Sequence, residues 1–303
     1  MQRNIVLETQ HLKKNFGPVQ AVEDVSLEVR HGEVFGFLGP NGAGKTTTIG
    51  MILSLVRPSA GSVRLFGETV TPGHNRSLKK VGALIGSPAL VPYLTARQNM
   101  ELIARLHPGL PDNKVQTTLE RVGLEGAANR KAGTFSSGMK QRLGLGMALL
   151  HDPELLILDE PTNGMDPAGM REMRVLLRSL SDQGVTVFLS SHLLHEIEQV
   201  CDRVAVLKAG RVIVQGSVTE LMGDTQIVKL RVDSPAEVAG LLGSLNGVQQ
   251  IIPNGAYVTV KGASSQQIIR HLASHGIAPS EVTNEKPDLE SLFLELTGPE
   301  PAL

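Results

Sequence analysis

Hydrophobic and polar positions along the chain fall into two periods. Over residues 4–34 they alternate, as in Val25-Ser26-Leu27-Glu28-Val29, the pattern of antiparallel strands with one buried face. Phe35-Gly36-Phe37-Leu38, Leu155-Leu156-Ile157-Leu158 and Val187-Phe188-Leu189 are continuous apolar runs. Strands covered on both faces of a parallel sheet read this way. Further strands are expected over 61–85 and 204–207, and Arg211 to Ser217 ends the series. Between 95 and 150 the period lengthens to that of helices. Thr95 can cap a helix carrying Met100, Leu102, Ile103 and Leu106. Pro108-Gly109-Leu110-Pro111-Asp112 breaks it, and Val115, Leu119 and Val122 form the next apolar stripe.

The pattern changes again after residue 222. Ile227 to Val232 reads as a strand and Pro235 to Leu245 as a helix. Val248 to Ile252 and Ala256 to Lys261 flank Pro253-Asn254-Gly255, a hairpin turn signal. Ser264 to Ser274 is a second helix, Ser280 to Thr283 a strand, and Asp288 to Leu296 a last helix. The order βαββαβ plus a helix predicts a small ferredoxin-like α+β domain over 223–303, with no constellation of catalytic residues. Residues 1–222 then form an α/β domain with a mixed sheet, an antiparallel β part and a helical subdomain over about 87–150.

Chemistry concentrates at the ends of the apolar strands. Gly39-Pro40-Asn41-Gly42-Ala43-Gly44-Lys45-Thr46 follows the run Phe35 to Leu38 and fits G-x-x-x-x-G-K-[ST]. Thr47 continues into a helix. Such a turn points backbone N–H groups at one anion, and the helix N-terminus adds partial positive charge. Lys45 can reach β- and γ-phosphates, and the Thr46 hydroxyl can ligate Mg²⁺. Leu155 to Leu158 ends in Asp159-Glu160. Ligands of open α/β sheets bind at strand carboxyl ends. Asp159 is expected to hold Mg²⁺, and Glu160 to deprotonate an attacking water.

Phe135-Ser136-Ser137-Gly138-Met139 lies between loop and acids, Pro161-Thr162-Asn163-Gly164-Met165-Asp166-Pro167 follows the acids, and His192 ends the run from Val187. With these motifs in this order, residues 4–220 resemble the nucleotide-binding subunits of ABC transporters. The bacitracin-type and multidrug exporter group is similar in its C-terminal tail as well. The resemblance implies a P-loop ABC ATPase core that binds ATP and Mg²⁺. It implies adenine stacking on Phe16 and a signature, usually L-S-G-G-Q, at Ser136, Ser137 and Gly138. It further implies a D-loop contact from Asp166 and a γ-phosphate sensor at His192. The family carries Gln, or Glu in the exporter group, where this chain has Gly86; a shift of one residue would put Ser87 there instead. His195 is read as solvated helix surface.

Composition narrows the partners. A net charge of −1 over 303 residues gives no electrostatic footprint for nucleic acid. One cysteine, Cys201, excludes a disulfide framework and reads as a small packing residue. No run approaches the ~20 apolar residues of a membrane span, and Met1 to Asn4 runs straight into Ile5-Val6-Leu7 without a leader pattern. The resemblance therefore implies a second copy of the nucleotide-binding subunit, as a homodimer, and an integral membrane permease that supplies the path. The chain is then expected in the cytoplasm, peripheral on the inner face of the membrane. The alternative is a soluble ABC ATPase acting on nucleic acid or ribosomes. Such proteins usually carry two nucleotide domains or a long coiled coil, and neither is seen here.

Overall fold

The computed structural model describes residues 4–71, 73, 75–223, 226–285, 289 and 293. The chain divides into two compact units, Met1–Val218 and Thr219–Leu303. The division falls at the start of the short helix Val218–Met222 rather than after it.

In the first unit, β1 (Ile5–Phe16), β2 (Val19–Arg30), β4 (Ala60–Leu65) and β5 (Glu68–Thr69) pair antiparallel. Their alternating pattern buries one face. The continuous apolar runs become β3 (Val34–Leu38), β7 (Leu155–Asp159) and β8 (Thr186–Ser191), and β6 (Val81–Ile85) is one of the strands expected over 61–85. These four strands and β9 (Arg203–Lys208) lie parallel in the order β9-β3-β8-β7-β6. β3, β7 and β8 are buried at every residue, as strands covered on both faces require. Phe35 and Phe188 pair across β3 and β8 and stack with ring centroids 5.8 Å apart. β10 (Arg211–Ser217) returns antiparallel to β9 and meets β2 through the single pair Arg211–Asp24, joining the two sets of strands. Helices α1 (Lys45–Ile52), α5 (Pro167–Asp182) and α6 (Leu194–Val200) follow β3, β7 and β8.

The helical part holds α2 (Ala96–Ala104), α3 (Lys114–Arg121) and α4 (Ser137–Leu149). Thr95 caps α2 in a capping box with Gln98: its Oγ1 accepts the Gln98 N–H at 3.2 Å, and its own N–H donates to Gln98 Oε1 at 2.9 Å. Met100, Leu119 and Val122 are buried, but Leu102 and Leu106 are exposed. α2 stops at Ala104, so Leu106 never joins the apolar stripe. Glycines set the spacing of α4. A Cβ on Gly144 would come within 2.7 Å of Pro88, and one on Gly146 within 3.4 Å of Met100.

The second unit has β11 (Ile227–Arg231), α8 (Pro235–Leu242), β12 (Gln250–Asn254), β13 (Tyr257–Lys261), α9 (Ser265–Ser274) and β14 (Glu281–Glu285). Its antiparallel sheet runs β12-β13-β11-β14, the ferredoxin-like arrangement. Gly255 turns the β12–β13 hairpin at φ +58°. Val228, Leu230, Val258, Val260, Ile268 and Leu272 belong to its core. The helix expected over 288–296 lies outside the described residues, apart from Leu289 and Phe293, both helical.

Candidate nucleotide site

The turn after β3 is shaped by glycines that admit no side chain. A Cβ on Gly39 would stand 2.4 Å from the Leu207 carbonyl oxygen. One on Gly44, at φ +104°, would stand 2.5 Å from the Ala21 carbonyl oxygen. The turn wraps the Lys45 ammonium, which donates to the carbonyls of Gly39 at 2.7 Å and Pro40 at 3.3 Å. Lys45 is only 5% exposed, so its charge needs partners. Asn41, Gly42, Gly44, Lys45, Thr46 and Thr47 line one cavity together with Glu160.

β7 brings the acids to the same end of the sheet. Thr46 Oγ1 donates to Asp159 Oδ2 at 2.8 Å, and Ser190 Oγ to Asp159 Oδ1 at 2.5 Å. Glu160 turns sharply out of the strand at φ +51°, a conformation uncommon for a residue with a side chain. Its N–H is held by Ser190, 3.2 Å from the carbonyl oxygen and 3.1 Å from Oγ. One Glu160 oxygen lies 3.3 Å from Lys45 Nζ, and the other 2.8 Å from His192 Nδ1. Strain of this kind clusters where function demands a geometry.

Lys45, Thr46, Asp159, Glu160 and His192 are thus gathered at the carboxyl ends of three adjacent strands. Ser190 was not foreseen. Its signal was latent in the serines ending the run from Val187, but its role follows from the register that sets it opposite Asp159. Ser136, Gly138 and Asp166 line a different concavity, while Ser137 borders that concavity and the cavity lined by Thr46, Asp159 and Glu160. Ser136 caps α4, accepting the Met139 N–H at 3.3 Å, and Asp166 caps α5, accepting the Gly169 N–H at 2.8 Å. Phe16 is half exposed, with Lys14 Nζ 4.7 Å over its ring, and does not line the cavity of the Asn41–Thr47 turn. Gly86 follows β6 directly, where Ile85 pairs with Asp159. Gly86 and Ser87 border the cavity that holds Thr46, Asp159 and Glu160. His195 is exposed beside Gln199. Cys201 is buried against Gly36, and burial pushes its thiol well above the ordinary range, which leaves it inert.

The arrangement fits a nucleotide triphosphate and its metal. Gly39 and Gly44 let the turn close against the Leu207 and Ala21 carbonyls, and its remaining residues line the cavity at the α1 N-terminus. The Thr46 hydroxyl and Asp159 carboxylate put two hard oxygens side by side, the donor type Mg²⁺ takes.

A family model described as ABC transporter matches residues 22–163. The chain is 40% identical over 295 residues to YhcH of Bacillus subtilis (strain 168), an uncharacterised ABC transporter ATP-binding protein, covering 97% of this chain and 96% of YhcH. The chain belongs to the ABC transporter ATP-binding proteins. It is 36% identical to the bacitracin transport ATP-binding protein BcrA of Enterococcus faecalis, over 97% of this chain and 96% of BcrA. A dimeric ATP-binding cassette in a post-hydrolysis state, bound to ADP and phosphate, superposes with a TM-score of 0.64 at 26% identity. That match covers 70% of this chain and 99% of the cassette. The protein is an ABC-type ATPase, the ATP-binding subunit of a transporter of the bacitracin and drug exporter type. Among the described residues no helix is long and apolar enough to cross a membrane.

Proposed function

We propose that two copies of this chain form a homodimer that clamps MgATP between the Gly39–Thr47 loop of one and Ser136-Ser137-Gly138 of the other. Closure and reopening would drive export through a separate permease on the inner face of the cell membrane. The observation carrying this reading is the cluster Lys45–Glu160–His192 beside the Thr46–Asp159 pair. Within one chain Ser136 and Gly138 border another concavity, so a partner copy is needed to complete the site.

ATP is the substrate, and Mg²⁺ when bound would neutralise phosphate charge at Thr46 and Asp159. Lys45 exchanges Glu160 for the β- and γ-phosphates. That frees one Glu160 oxygen as an acceptor, while His192 keeps the other oriented. Glu160 takes a proton from water as the water oxygen bonds to the γ-phosphorus. The bond to the bridging oxygen breaks, and ADP and phosphate result. Asp166 contacts the partner copy, and Phe16 stacks on adenine. Loss of the γ-phosphate removes the contact that favours the closed pair. The segment from Gly86 to Leu94 is the groove for the permease. Residues 219–303 serve as a dimer-stabilising or regulatory appendage. The alternative of a soluble ATPase on nucleic acid finds no support in the relatives, which are named for transport.

Size-exclusion chromatography of the Glu160→Gln chain tests the composite site. MgATP should convert it from monomer to dimer, and Ser136→Arg in the same background should abolish the shift. A chain that stays monomeric at saturating MgATP sinks the homodimer. Affinity purification from membranes should recover a polytopic membrane protein; recovery of nucleic acid instead would favour the alternative.

A further inference from the structure

Gln141 is the polar side chain that the account above leaves unused. It lies on the face of α4 that also carries Ser137 and Gly144, spaced four and three residues away. Gly144 holds this face hard against Pro88, which fixes Gln141 beside the turn after β6. Gln141 is 7% exposed, and its Oε1 is buried without a hydrogen-bond partner. A buried amide oxygen left unpaired is costly, so its retention calls for a donor. It borders the cavity shared by Thr46, Asp159, Glu160 and Gly86.

The cavity it borders is open beside Gly86. Gly86 sits at φ +61°, and a Cβ built there would meet no atom within 4 Å. Among the side chains lining this cavity the acids can only accept, and the donors on Ser87, Ser137, Lys140 and Asn163 make no hydrogen bond to Oε1. Phosphate oxygens at neutral pH accept too. A water molecule supplies two O–H donors and keeps a lone pair. We propose that Gln141 Oε1 is the second anchor of the attacking water. One O–H points to Glu160, which removes that proton, and the other donates to Gln141, leaving the lone pair aimed at phosphorus. Gln141 is then a water-positioning residue on the helical subdomain, and movement of α4 would switch hydrolysis on or off. This inference rests on Glu160 as the base.

The test uses the purified full chain and MgATP. Gln141→Met keeps the volume and removes the acceptor. Its kcat should fall ~10- to 10²-fold while KM for ATP holds. In the Glu160→Gln background it should still dimerise with MgATP, and its thermal midpoint should match that of the parent. If the Met variant does not fold, Gln141→Asn, which withdraws the amide by one carbon, should give the same loss in kcat alone. Wild-type kcat in these variants, or loss of ATP-driven dimerisation along with turnover, overturns the proposal. Wild-type turnover in Glu160→Gln would instead overturn the base on which it rests.

Discussion

The two units bury different things. In Met1–Val218 the buried side chains include Lys45, Gln141, Asp159 and Ser190, all bordering the nucleotide site. Among the described residues of Thr219–Leu303 no polar or charged side chain is buried. Backbone strain divides the same way. Among the described residues, those other than glycine with positive φ, Glu160 included, all precede residue 210. The second unit is built as its sequence prefers, with apolar strands, a glycine-turned hairpin and a capping box at Ser264. The first departs from local preference at the end of its sheet. Burying charge and bending a strand end cost stability, and the return is a carboxylate, a cation and a paired hydroxyl and carboxylate held in place before substrate arrives.

Four perturbations test that contrast, in order of decreasing size. Leu230→Ala empties a fully buried site on the central strand of the second unit, at a cost of about 2–5 kcal/mol. Hydrogen exchange over 227–285 should accelerate while ATP turnover stays; a matching fall in turnover would tie the units together. Lys45→Ala removes the ammonium from the phosphate turn. Titration with MgATP should show affinity lower by about 1.5–3 kcal/mol, the range for a charged hydrogen bond; unchanged affinity and turnover would make the loop structural. Gly86→Ala meets no steric obstacle but must hold φ +61°, a strain of about 1–2 kcal/mol. Gly86→Asn tolerates that region better and should be more stable than the alanine variant by thermal denaturation. Equal stabilities would show that the turn relaxes.

The smallest effect concerns pH. His151 Nε2 donates to Val81 O at 3.2 Å, and the ring stacks on His107 at 4.6 Å. Burial first, and His107 second, hold its pKa below the ordinary value, against the pull of Asp152. Folding therefore favours the neutral ring. As pH falls through about 6.5 the unfolded chain takes up the proton first, so stability is full above that pH and declines below it. The thermal midpoint should drop between pH 7.5 and 6, and His151→Gln should flatten that drop. A midpoint that rises on acidification would contradict the assignment.

Much of this was legible from spacing alone. The phosphate loop fixes its own geometry, because glycine positions, lysine and threonine act within eight consecutive residues. The βαββαβ order of the tail was readable because its hairpin is local. What stayed hidden depends on contacts between distant strands. Ser190 matters only because β8 lies beside β7, in a register that the sequence does not state. The left-handed turn at Glu160 is likewise imposed by Ser190 rather than by residue preference. Leu106 misled because a period predicts a face but not where a helix stops, and Leu102, two residues from buried Met100, lies off the buried face. Gln141 was invisible since its significance lies in an unpaired oxygen.

We propose Glu160, clamped between Lys45 and His192, as the base that removes the proton from the attacking water. Steady-state ATP hydrolysis by the purified chain, wild type against Glu160→Gln, tests it most directly. The account predicts a kcat lower by ~10²–10⁴-fold with MgATP binding retained. A Glu160→Gln chain that binds MgATP and hydrolyses it at the wild-type rate would contradict it.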